Sequence, residues 1–166
     1  MLKDLKQQIL TAQSLHQQGK LNLARVAYKN ILKFYPNNFN IIYLLGTLEL
    51  QTNNFKAGSY YLLQAIKANP NFSNSYNNLA VAYTEMKRFD EALVYLDKAI
   101  LIKKDYYEAY NNKGNIFLKL EKLNQALINY KKSLEINPKY YQAYNNMGNV
   151  YLKLNNYNKA KDCFNL

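Results

Sequence analysis

Apolar residues recur at helical intervals along most of this chain. Tyr110, Gly114 and Phe117 lie at i, i+4 and i+7, and Ala126, Tyr130 and Ser133-Leu134 repeat that spacing. Between the two runs, Leu120-Glu121-Lys122-Leu123-Asn124 reads as a short turn, and Pro138 closes the pair. The pattern predicts two helices of about 12–14 residues each, too short to be stable without packing on each other.

The pair recurs. Small residues stand at Ala12, Gly46, Ala80, Gly114 and Gly148, always 34 residues apart. A second small series runs through Ala24, Gly58, Ala92, Ala126 and Ala160, and a bulky one through Tyr28, Leu62, Leu96, Tyr130 and Phe164. Prolines fall at Pro36, Pro70 and Pro138, with Lys104 in the empty slot. Four series sharing one period without an insertion mark an internal repeat. The small positions predict close approach of paired helices. The lysine slot predicts a helix that runs on through Ile102.

These residues resemble the tetratricopeptide repeat, whose pattern asks for an aromatic, Leu-Gly, Tyr, Ala, an aromatic and Pro. Tyr144, Met147-Gly148, Tyr151, Ala160 and Phe164 read that way, as do Tyr110, Gly114, Phe117, Ala126, Tyr130 and Pro138. Departures are Gln8, where an aromatic is usual, and Lys104. The resemblance implies an all-α fold: a right-handed α-solenoid of stacked helix-turn-helix units, about ten helices, with a concave groove. We expect a single domain over 1–166, with units at 5–38, 39–72, 73–106, 107–140 and 141–166. The last is incomplete. No polar capping helix follows Phe164, which predicts either a longer protein or a C-terminal end covered by a second copy in a homo-oligomer.

A helical wheel centred on Gly114 sorts the first helix of each unit. Tyr107, Tyr110 and Phe117 fall beside Gly114, towards the partner helix. Ala109, Lys113 and Ile116, and likewise Ala143, Met147 and Val150, point to a neighbouring unit. What remains is a polar stripe: Glu108, Asn111, Asn112, Asn115 and Lys119 in unit four, and Gln142, Asn145, Asn146, Asn149 and Lys153 in unit five. Unit three places Asn74, Asn77, Asn78, Val81 and Glu85 there. Asn is a weaker helix former than Glu, Lys or Gln, so this placement asks for an offsetting benefit. The chain holds 25 Asn, so an AT-rich coding bias is the competing explanation. An amide offers two donors and an acceptor, which suits the backbone of an extended peptide. In the resembled family, Asn at the places of Asn78, Asn112 and Asn146 contacts ligand backbone. Lys119 and Lys153 add a preference for acidic ligand side chains. Units one and two instead show Ile9, Leu10 and Gln13, then Tyr43, Leu44 and Thr47. Two readings of Tyr43 and Leu44 stand: a surface covered by the N-terminal segment or a second copy, and a pocket for an apolar anchor of the partner.

Composition narrows the function classes. There is one cysteine, Cys163, and one histidine, His16, so neither a disulfide framework nor a Cys or His metal cluster can form within the chain. No cofactor motif, phosphate loop, nucleophile–base set or paired carboxylates occur, and we expect no enzyme activity. The N-terminus lacks a signal-peptide core and no membrane span is present, which predicts a cytoplasmic protein. The net charge of +11 raises an RNA-binding helical repeat as one alternative, but no basic run of four occurs and nucleic acid is not the expected partner. Chaperone-tail capture by a carboxylate clamp is disfavoured, because Tyr43, Asn77 and Asn111 stand where that clamp needs lysine. The expectation is a scaffold that binds a protein or peptide segment. The alternative is the N-terminal substrate-recruiting arm of a larger enzyme resembling O-GlcNAc transferase.

Overall fold

A computed structural model describes residues 2–165 of the chain. Among them are ten α-helices and no strand. In order they are α1 (Leu2–Gln17), α2 (Leu21–Phe34), α3 (Phe39–Gln51), α4 (Phe55–Ala68), α5 (Ser73–Glu85), α6 (Phe89–Ile102), α7 (Tyr107–Lys119), α8 (Leu123–Ile136), α9 (Tyr141–Lys153) and α10 (Tyr157–Phe164). From α2 onward every second helix starts 34 residues after its counterpart, so the repeat seen in the apolar series is also the repeat of the backbone. The fold is of the all-α helical-repeat solenoid class.

Contacts divide the chain into two compact units, one up to Arg88 with α1–α5 and one from Phe89 with α6–α10. In the first unit, α1 packs on α2 and α3 on α4, while α2 leans on α3 and α4 on α5. Its core gathers Ala12, Ala24, Tyr28, Ile31, Ile41, Leu45 and Leu48. In the second, α7 pairs with α8 and α9 with α10, and α6 and α8 rest on the following helix. Tyr130 and Ala126 of α8, Met147 and Val150 of α9, and Cys163 of α10 form its central cluster. Met147 and Val150 thus contact the preceding pair, as the wheel expected of that arc.

The small positions receive the bulky ones. A methyl on Gly114 would run into Cδ1, Cε1 and Cζ of Tyr130, the last at 2.9 Å. Gly148 faces Phe164, and Gly46 faces Leu62, in the same way. Burying an aromatic ring against bare backbone removes the most apolar area per contact, and this offsets the poor helix propensity of glycine.

Each turn inside a pair is shorter than its sequence suggested. After α7 only residues 120–122 leave the helix, and Leu123 already begins α8. One residue per turn takes the left-handed conformation: Gly19, Asn53, Lys87, Glu121 and Asn155. The next amide then reaches back five residues, as from Lys20 to Leu15, Asn54 to Glu49, Lys122 to Phe117 and Asn156 to Tyr151. That is the Schellman closure, which satisfies carbonyls the helix end would leave open. The helix before Lys104 does run through Ile102 as expected, though it is no longer than its counterparts. Helix α6 ends at Ile102, in register with Phe34, Ala68 and Ile136. The stop is set by the next residue leaving helical geometry, as Tyr35 and Asn137 do, and proline two positions on is not required.

Candidate binding surface

The stripe residues are carried by α3 and α5 in the first unit and by α7 and α9 in the second. In the first, Tyr43 lies one turn into α3. Its ring meets Phe72 edge-on at 5.0 Å and stacks near Phe39 at 6.2 Å. Its hydroxyl accepts a hydrogen bond from Asn78 Nδ2 at 3.2 Å. Burial raises the Tyr43 hydroxyl above the usual phenol range, opposed by bonds from Asn74 and Asn78. Leu44 packs against the Tyr28 core and edges a shallow polar hollow with Gln13, His16, Gln17 and Gln51. His16 is engaged at both ring nitrogens, Nδ1 at 3.2 Å from the Tyr28 hydroxyl and Nε2 at 2.8 Å from Gln51 Oε1. Asn77 is only 7% exposed, and its Nδ2 donates to Asn78 Oδ1 at 3.3 Å.

The second unit joins three of the stripe amides into one network. Asn146 Nδ2 donates to Asn111 Oδ1 at 2.9 Å and to Asn115 Oδ1 at 3.0 Å. The fully buried Tyr130 donates its hydroxyl to the same Asn115 oxygen at 2.8 Å. Desolvation pushes the Tyr130 hydroxyl far above its usual range, so it is always a donor near neutrality. Asn146 has spent both amide hydrogens and keeps its Oδ1 as an acceptor, while Asn115 keeps its amide donors. Asn111 is 4% exposed, so it anchors the network from below.

The rest of the stripe is looser. Asn112 is half-buried, and Asn145, Asn149 and Lys119 are exposed. Lys153 is exposed and pairs with Glu121 at 3.0 Å, a solvated contact of small energetic weight. The structure therefore brings Asn111, Asn115 and Asn146 together, and Tyr43 with Asn77 and Asn78. It leaves Asn145 and Asn149 open to solvent. The wheel erred on Asn77 and Asn111, which it placed on the open stripe. It measures angles about one helix and does not locate its neighbours, such as α9, whose Asn146 donates to Asn111.

Three supports escaped the sequence reading. Tyr130 was assigned to packing alone. Phe39–Phe72 and Tyr107–Tyr140 form equivalent edge-on ring pairs at 5.2 and 4.8 Å. Their signal was an aromatic at the start of a first helix with another just before the next one. The third is buried charge. Glu49 is 1% exposed and accepts from Arg25 Nε at 2.8 Å and from Asn54 Nδ2 at 3.1 Å. Among the described residues no group of three or more His, Cys, Asp or Glu is placed to hold a metal ion. Cys163 is buried in the second core, and burial raises its thiol, so the reactive thiolate is scarce. No helix among the described residues is long and apolar enough to cross a membrane.

Family models match three stretches of the chain: one described as tetratricopeptide repeat over residues 9–38, one of the same description over 73–106, and one described as TPR repeat over 114–155. No curated protein matches the chain. Solved structures do. MamA from Desulfovibrio magneticus RS-1 is 16% identical with a TM-score of 0.83, covering 97% of this chain and 91% of its own. PilF of Pseudomonas aeruginosa is 22% identical with a TM-score of 0.84, covering 98% of this chain and 76% of its own. YrrB, described as a TPR protein with an unusual peptide-binding site, is 21% identical with a TM-score of 0.71, covering 94% and 80%. At such identities the likeness is one of fold.

Proposed function

This chain is a member of the tetratricopeptide-repeat family, and from that premise we propose that it is a protein-interaction scaffold, not an enzyme, whose five repeat units hold an extended peptide through side chains of their first helices. The observation that carries the reading is the Tyr130–Asn115–Asn146–Asn111 network. Asparagine amides are ordinarily free to turn. Here two are fixed in one orientation, with the Asn146 carbonyl and the Asn115 amide left over, a donor and an acceptor side by side. Peptide backbone offers the complementary pair at every residue, so such a surface accepts many sequences. Preset groups also lose less entropy on binding than mobile ones. The peptide-binding site described for YrrB lends the reading support by analogy of fold.

The open amides Asn145 and Asn149 extend this contact, and Lys119 favours acidic ligand side chains. In the first unit, Tyr43 with Phe39 and Phe72 offers an aromatic subsite for a ligand side chain, and Leu44 edges a separate hollow beside His16. The test is a selection of peptides against the full chain, followed by titration of the best binder against variants. Asn146→Ala also breaks two internal hydrogen bonds, so its effect mixes binding with stability. Asn145→Ala with Asn149→Ala touches neither network nor core. We expect it to weaken peptide binding about tenfold, the worth of one to two hydrogen bonds, at a melting temperature equal to or above that of the parent, since Ala is the better helix former. Unchanged affinity in that double variant, with full affinity also in Asn112→Ala, would return the asparagines to compositional bias.

A further inference from the structure

The second helix of each pair turns four register positions outward, and their chemistry differs between the two units. In α2 they are Asn22, Val26, Lys29 and Lys33, and in α4 they are Lys56, Tyr60, Leu63 and Lys67. Neither helix contains a single Asp or Glu. Val26 is 57% and Tyr60 59% exposed, and Phe34, on the flank of α2, is 77% exposed. None of the four lysines makes an ion pair with a described residue. The remaining cation of these helices, Arg25, is turned inward to Glu49 and adds nothing outside. At the same positions the other unit mixes its signs, with Asp90 and Asp97 in α6, Glu135 in α8 and Asp162 in α10. Up to Arg88 the sequence holds ten Lys and Arg against three acids, one of which is the buried Glu49.

We propose that this outer face of α2 and α4 docks on an anionic lipid surface. The exposed apolar side chains are few and flanked by lysines, Val26 by Lys29 and the Tyr60–Leu63 pair by Lys56 and Lys67, and this arrangement decides between occupants. A protein hot spot needs apolar groups that touch and close out water. A lipid interface needs only side chains that reach between headgroups while ammonium groups meet the phosphates around them. Tyr60 suits that depth, with an apolar ring and a polar tip. A shallow hollow lined by Leu32, Pro36, Tyr60, Tyr61, Gln64 and Lys67 opens beside it, with room for a headgroup and a lysine at its rim. Docking there uses second helices and leaves the first-helix amides, the surface proposed for peptide, uncovered.

The test is co-sedimentation of the full chain with vesicles of phosphatidylcholine alone, or of phosphatidylcholine mixed with phosphatidylglycerol, at low and high salt. We expect binding to the mixed vesicles, weakened by salt, and little to the neutral ones. Replacing Lys29, Lys33, Lys56 and Lys67 by Gln should lower it by about a hundredfold or more, since each surface lysine contributes severalfold. Replacing Lys103, Lys104, Lys131 and Lys132 by Gln removes the same charge elsewhere and should change it by less than about threefold. Val26→Ser with Tyr60→Ser, both exposed, should cost about tenfold by removing the inserted groups. Peptide binding should be unaltered in all three variants, which separates this proposal from the preceding one. Absence of binding to the mixed vesicles at low salt, or equal losses in the two lysine variants, would overturn it. In the first case an acidic protein partner becomes the better occupant, and in the second the attraction is diffuse charge.

Discussion

Gly114 and Tyr130 are one decision made at two positions. The ring fills the space that a side chain on α7 would occupy, and its hydroxyl emerges on the far side to hold Asn115. Packing and the amide network therefore share a single residue. Gly114→Ala should lower the unfolding free energy by about 1–3 kcal/mol in urea titration, because a close-packed site must shift to admit the methyl. Tyr130→Phe should keep the packing and lose the hydrogen bond, costing about 1 kcal/mol and freeing Asn115 to turn. At this scale the small and bulky series were legible, since their spacing is a property of the chain alone. The burial of Asn111 was not, because it depends on a helix 34 residues away, whose Asn146 donates to it.

Within the helix pair, the turn and the buried charge follow different logics. The left-handed residue is glycine only at position 19, while Lys87 and Glu121 hold the same conformation with a side chain. That conformation costs an L-residue about 1–2 kcal/mol, and closure of the helix end compensates for it. Gly19→Ala should therefore lower stability by about 1 kcal/mol, read as a drop in melting temperature. Glu49 occupies a register slot that holds Leu15, Tyr83, Phe117 and Tyr151 in the other units. An acid in an apolar series was a visible signal, and its partner Arg25 was the invisible part, since it sits 24 residues earlier on another helix. Arg25→Ala should cost about 3 kcal/mol or more by leaving a buried carboxylate half-satisfied. Arg25→Met with Glu49→Leu should recover most of it, and a double-mutant cycle in urea checks both.

Across the molecule the tyrosines impose a common alkaline limit. Burial raises the hydroxyls of Tyr28, Tyr43, Tyr61, Tyr130 and Tyr140 above the usual phenol range. In the unfolded chain they ionise near pH 10 while the native ones stay protonated, so the native state binds more protons there and stability falls as pH rises. The contribution is fully present below about pH 10 and is lost progressively above it. Melting curves from neutral pH upward should be flat for this term and then decline, and a flat profile through the phenol range would contradict the burial described. Fold class was legible throughout, because one period governs helix, turn and core alike. Which amides would be locked and which open was not, since that is settled between helices.

The unbroken 34-residue frame of helix starts has a consequence for how such a gene changes. Misaligned recombination between any two units adds or removes whole multiples of the period, and the junction rejoins helix to helix in phase. The small residue then meets a bulky one in its new setting, as Gly46 meets Leu62 and Gly114 meets Tyr130. Length can drift in this lineage while the small-to-bulky contact inside each helix pair is kept.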